Sequence, residues 1–315
     1  MNSEFNAECL TLSFDEGFKK LMDRGNAEAV SQVGIVHSVF NKVINFKDHK
    51  NQLHSLLHRD MDNGPYSIRV DRKGSCSFQD FLIHVNDAVY MSKDYLVIGN
   101  LFKLKLSRSR LWQPQPIKLD LNRAYDLLNK NIERYNQYLL VSGSSGGVKH
   151  YYLKNHLHLP VKHHPTLIEK ELEKRILNFR WSVQNNGQAL EEHINALLGF
   201  GNGLTPSGDD FLAGYILALN TVQRREASKI LRKIKGLLGA QKLPTTDISI
   251  TMLKATLEGK TREYIHQFIC SLFDDDDSRM IRNTEQVLAI GSSSGTDLSI
   301  GISVGLSDFL EDSVK

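Results

Sequence analysis

The stretch GFGNGLTPSGDDFLAG, Gly199 to Gly214, places five glycines, a proline, two hydroxyl residues and two adjacent aspartates in sixteen residues, directly ahead of an apolar run. Glycine supplies turn conformations that other residues avoid, and the apolar residues that follow have helical spacing. The stretch therefore reads as a loop entering a helix. A related turn follows some eighty residues later. Ser207-Gly208-Asp209-Asp210-Phe211-Leu212-Ala213-Gly214 and Ser294-Gly295-Thr296-Asp297-Leu298-Ser299-Ile300-Gly301 both read S-G-x-D-apolar-x-x-G and continue as apolar helix. The pair is too short to prove a duplicated domain.

Outward from these loops, residues 118–315 carry Leu, Ile and aromatics at intervals of three and four, as in HPTLIEKELEKRILNFRWSV and DISITMLKATLEG, which predicts a helical domain. Residues 31–117 have a different texture. Short β-branched and aromatic runs such as GIVHSVFNKVINF, YSIRVD and DYLVIGNLFKLKL alternate with Asp/Asn/Gly clusters, the pattern of strands and tight turns. LWQPQPI, Leu111 to Ile117, is an extended crossing segment and sets the boundary. Residues 1–30 are expected to form a leading helix, with Phe14, Phe18 and Leu21 on its apolar face and a stop near Gly25. The predicted class is α+β: a small N-terminal antiparallel β domain, barrel- or sandwich-like, then a C-terminal all-helical domain.

Composition narrows the function. A net charge of +3 over 315 residues is too mild for a nucleic-acid binder, and QRREASKILRKIK reads as a solvated helix face. Cys9, Cys76 and Cys270 are odd in number and far apart, which argues against a disulfide framework or zinc ribbon. No apolar segment approaches a membrane span, and the opening MNSEFNAECL lacks a secretory signal pattern, so a cytoplasmic protein is expected.

The chemistry of the loops has two readings. The first turn of a helix presents unpaired N–H groups and partial positive charge, which favour carboxylates. In the first reading Thr205 or Ser207 caps the helix, Asp209 and Asp210 stabilise its start, and Gly214 and Gly301 let two helices pack closely. In the second, the glycine-lined turn holds an anion, with Asp210 and Asp297 as ligands of Mg²⁺ or another divalent cation that offsets their charge. A P-loop is rejected because no lysine follows the glycines, and a Rossmann fingerprint because the spacing is absent. His156, His158, His163 and His164 read as a solvated loop rather than a transition-metal site, and Asp274 to Asp277 as an exposed interhelical turn. The serines of SGSSGG and SSSG lack the context of a hydrolase nucleophile.

GNGLTPSGDDFLAG followed by AIGSSSGTDLSIGISVGL resembles the AllH family, bacterial proteins long labelled putative carboxylases; SVFNKVINF, NGPYSIRV and DISITMLKATLEG extend the resemblance over most of the chain from about residue 30. The resemblance implies a subunit associated with oxamate carbamoyltransferase in allantoin breakdown. That reaction moves a carbamoyl group between oxamate and phosphate. Two departures stand out. Asn202 replaces a proline common in the family, and Ser292 replaces a histidine, so a general acid or base at 292 would be missing; His193 would substitute only if the fold brought it near.

The resulting expectation is a site where Asn202, Gly203, Thr205, Ser207, Gly208, Asp209 and Asp210 face Ser292, Ser293, Ser294, Gly295 and Asp297. Asp209, Asp210 and Asp297 would be catalytic, Asp210 and Asp297 also metal-binding, and the hydroxyls and backbone N–H groups would hold a small anionic substrate for carbamoyl or carboxyl group transfer. Other subunits of a carbamoyltransferase are the expected partners, with no nucleic acid or membrane. The alternatives are a non-catalytic partner subunit and a metal-dependent hydrolase. The site reading requires the two loops to meet within about 15 Å.

Overall fold

The computed structural model describes residues 9–24, 30–71, 77–99, 102–106, 110–114, 117, 121–161, 164–222, 224–240 and 242–310, so Cys76 and His163 lie outside the described residues. The chain divides into two units, Met1–Gln115 and Pro116–Lys315.

The first unit is a barrel. Its strands are β1 (Cys9–Phe14), β2 (Ser31–Val39), β3 (Val43–Asp48), β4 (Leu53–His58), β5 (Ser67–Asp71), β6 (Ala88–Met91), β7 (Tyr95–Ile98), β8 (Phe102–Lys105) and the two-residue β9 (Arg110–Leu111). They follow the order β5-β4-β3-β2-β6-β7-β8-β1, and β1 pairs with β5 to close a ring of eight; β9 joins β1 at Ser13 and Phe14, beyond the end of β8. Closure leaves no long open edge for another chain to extend. Most pairs are antiparallel, but β1 runs parallel to β8 and β9, and β4 parallel to β5.

The N-terminal segment departs from its expected form. Phe14 ends β1 rather than opening a helix, and α1 (Glu16–Arg24) begins two residues later. Asp15 makes the break. Its carboxylate accepts the N–H groups of Gly17 at 2.9 Å and Phe18 at 2.8 Å, capping α1, and that of Ser67 in β5 at 3.0 Å. The helix then buries Phe18 and Leu21 in the barrel core, where Phe18 meets the rings of Phe46 and His54 edge-on. The segment thus supplies both a closing strand and a core helix to the barrel.

The second unit holds α2 (Leu121–Ser142), α3 (Lys149–Tyr151, continuing as a π turn over Tyr152–His156), α4 (Leu167–Gln184), α5 (Leu190–Leu197), α6 (Ser207–Val222), α7 (Arg225–Ala240), α8 (Asp247–Leu257), α9 (Glu263–Ser271), α10 (Asp277–Leu288) and α11 (Ser294–Leu310). Helix α6 is buried along nearly its whole length, which marks it as the centre of the unit. Its principal neighbour is α11. A Cβ at Gly214 would overlap the carbonyl of Leu298, and one at Gly301 the carbonyl of Phe211; Gly305 packs on Ala218 and Tyr215. Because the contacts advance together along both helices, α6 and α11 run parallel with their N-termini side by side. Among the described residues, no helix is long and apolar enough to cross a membrane.

The glycine contact predicts a sharp contrast in chemical denaturation. Gly214→Val should cost about 3 kcal/mol or more, because its new atoms meet backbone that cannot rotate away. Gly236→Ala, inside α7 with open space around it, should instead gain about 0.5–1 kcal/mol by lowering the entropy of the unfolded chain.

Candidate functional site

Each of the two loops turns back on the helix before it. Gly208 sits against the carbonyl of Leu197 at the end of α5, and Gly295 against that of Val287 at the end of α10, so tightly that a Cβ would overlap either carbonyl. The N–H of Gly208 donates to Phe200 O at 2.9 Å and that of Gly295 to Ile290 O at 3.0 Å. The two S-G-x-D turns therefore have equivalent local structures, and the parallel packing of α6 and α11 brings them together. Thr205 Oγ1 and Ser294 Oγ share a hydrogen bond at 2.8 Å across the junction.

Beneath this bridge lie Asp210 and Asp297, at equivalent positions in the first turns and 1% and 0% exposed. Their surroundings cross over. The hydroxyls of Ser294 and Thr205 face Asp210, while those of Ser207 and Ser293 face Asp297. Val148 N–H donates to Asp297 Oδ1 at 2.7 Å. Oδ2 of each aspartate is buried and, among the described residues, has no partner of ordinary hydrogen-bond geometry. Burial outweighs the favourable helix ends and raises both carboxyls: Asp297 to about 6, and Asp210 well above its ordinary value because repulsion from Asp297 adds to desolvation. Desolvation and the repulsion from Asp297 both favour the protonated form of Asp210, which couples the two carboxyls.

Asp209 is also buried, but its carboxylate accepts Gly199 N–H at 2.8 Å and the Thr245 hydroxyl, tying the loop and the start of α8 to α6. Burial raises its pKa against those bonds. Pro206 ends the loop, and its carbonyl accepts the N–H groups of Asp209 at 2.9 Å and Asp210 at 3.1 Å. Since Gly208, Gly295 and Asp297 also donate within their own loops, these N–H groups are already engaged. Asn202, Gly203 and Ser292 are exposed at the mouth, and Gly203, at φ 92°, has open space where a side chain would lie. His193 is elsewhere: its ring pairs with Ser182 on α4 at 2.6 Å. His156 is no solvated loop residue. It stacks on Tyr152 at 4.7 Å, and burial pushes its pKa down to about 4.

A third loop completes the junction. Residues 143–148 lie over the start of α11, where Ser144 N–H donates to Thr296 Oγ1 at 3.0 Å and the Ser144 hydroxyl donates to Ser292 O. Gly147, at φ 55°, abuts the Asp297 carboxylate so closely that a Cβ would overlap it. In the sequence SGSSGG is a loop whose serines lack the context of a nucleophile, and nothing there joins it to α11. Its sole signal was the density of glycine and serine, and the contact joins residues about 150 positions apart.

Among the described residues no group of three or more His, Cys, Asp and Glu side chains gathers as a metal site. What the junction offers is a half-buried cluster of hydroxyls over two coupled carboxyls, at the adjoining N-termini of two parallel helices. The fold and site together define a barrel joined to a helical unit built around a paired loop-to-helix turn. A family model described as oxamate carbamoyltransferase subunit AllH matches residues 197–306, which contain both turns, and one described as the AllH family N-terminal domain matches residues 10–111, the barrel. The chain belongs to the AllH family. No solved structure matches it.

The raised carboxyl of Asp297 has a defined effect on stability. Between its ordinary pKa and 6, the native chain holds a proton that the unfolded chain has released. That contribution is complete at low pH and is lost as pH rises through 6, amounting to roughly 3 kcal/mol. Asp297→Asn removes it. Denaturation of the two proteins from pH 5 to 7.5 should therefore show the variant gaining on the parent as pH rises; parallel curves would contradict the raised pKa.

Proposed function

We propose that this chain is a carbamoyltransferase subunit acting on small anions of the oxamate and carbamoyl phosphate class, with its substrate held at the junction of the two loops. The observation that carries the reading is the Thr205–Ser294 bridge above the Asp210–Asp297 pair. The family description supports the substrate class and implies companion subunits.

In the proposed step, the amide nitrogen of oxamate attacks the carbamoyl carbon of carbamoyl phosphate. A C–N bond forms, the C–O bond to phosphate breaks, and the proton released by the nitrogen ends on the departing phosphate. The reverse direction uses the same groups. Ionised Asp297 receives the proton through Ser293, which is half-buried and links it to the surface; Asp210, whose protonated form burial favours, donates to one hydroxyl of the Ser294–Thr205 bridge, and the hydroxyl at the other end of the bridge donates to the developing oxyanion. The N–H groups of Asn202 and Gly203, which have no partner among the described residues, add donors at the mouth. Asp209 acts by positioning α6. A divalent cation, if bound, would take Asp210 and Asp297 as ligands and supply charge neutralisation and polarisation of a substrate oxygen.

The complete burial of both carboxyls also favours a second reading, a non-catalytic subunit in which the pair only offsets the positive ends of α6 and α11. Thermal unfolding against Mg²⁺, Mn²⁺, phosphate, carbamoyl phosphate, oxamate and oxalate, alone and in pairs, separates the two. The site reading predicts a rise in Tm with an anion or an anion–metal pair, since a ligand specific to the native state at a hundredfold excess over Kd adds about 2.7 kcal/mol. Asp210→Asn should abolish the rise while the fold stays intact. No shift with any combination supports the second reading.

A further inference from the structure

A cavity of about 580 Å³ opens in the helical unit away from the loops, between the last turns of α4 and α11 and one side of α7. Asp308 marks its position, about three turns or 16 Å further along α11 than Asp297. The volume is that of a small-molecule pocket and far exceeds what a bare oxyanion fills. Val183, Ile230 and Phe309 give it an apolar floor.

The charge of the cavity is decided by which groups are already engaged. Asp308 is neutralised from within: Arg180 Nε donates to both of its oxygens at 3.1 Å, and Tyr215 donates to Oδ2 at 2.8 Å. Lys233 donates to the carbonyl of Asn186 beyond the end of α4, a cation meeting the negative end of a helix. Lys229 and Arg232 differ. Both line the cavity one turn apart on α7, and among the described residues neither has an acidic partner; Arg232 Nε makes only a 3.3 Å bond to Ser228 O of its own helix. Among the described residues that line the cavity, Glu226 is the acid that opposes them, from a turn earlier.

We infer that this cavity binds an organic phosphate of nucleotide size, its phosphate between Lys229 and Arg232 and its apolar body on Val183, Ile230 and Phe309. An arginine fork beside a lysine suits a doubly charged phosphate, and the floor requires an apolar moiety attached to it. The basic residues of α7, read from sequence as a solvated face, thereby acquire a partner. The assignment is independent of the chemistry at the loops.

Calorimetric titration of the full chain with AMP, ATP, adenosine and pyrophosphate tests it. AMP or ATP should bind, with adenosine and pyrophosphate each at least tenfold weaker. The double variant Lys229→Glu/Arg232→Glu should lose at least tenfold in nucleotide affinity with an unchanged circular dichroism spectrum and Tm, whereas Asp210→Asn should bind nucleotide as the parent does. Absence of nucleotide binding, parental affinity in the double variant, loss of affinity in Asp210→Asn, or pyrophosphate binding as tightly as AMP would each overturn the assignment.

Discussion

The parallel contact between α6 and α11 is the constraint on which the helical unit depends. Gly214 and Gly301 let each backbone rest on a carbonyl of the other helix, so the pair approaches more closely than side chains would allow. Parallel packing has an electrostatic cost, since two positive helix ends are placed side by side. Asp210 and Asp297 answer it, but burial and mutual repulsion make full ionisation of both costly. One close contact between backbones thus brings together two carboxyls whose protonated forms are favoured. Such a poised arrangement is expensive in stability and useful where protons must move.

The surrounding structure fixes that pair in place. Asp209 pins the glycine loop and α8, Val148 and Gly147 close over Asp297, and Tyr135 bonds Ser299 one turn along α11 at 2.8 Å. At the far end of α11, the Arg180–Asp308 fork with Tyr215 holds α4, α6 and α11 together. The helix is therefore anchored by polar contacts at both ends and by glycine between them.

Much of this was legible in the chain. The division between strand-like and helical texture and the matched S-G-x-D turns are local patterns, and local patterns survive folding. What escaped depended on distant partners. Phe14 and Phe18 have helical spacing, yet β1 is needed to close the barrel and Asp15 starts the helix only after it. The 143–148 loop meets α11 across half the unit, and the neutral, stacked state of His156 depends on burial, which residue spacing does not encode. Asp209 and Asp210 are neighbours of identical type. Only the fold separates a carboxylate with satisfied oxygens from one paired with Asp297.

The coupling of Asp210 and Asp297 is what carboxyl ¹³C titration of selectively labelled aspartate measures directly. Asp297 should titrate near pH 6 and Asp210 well above its ordinary range, and Asp297→Asn should lower the Asp210 midpoint by removing the repulsion. Two independent transitions near the ordinary aspartate value of 3.8, indifferent to substitution of the other residue, would contradict it.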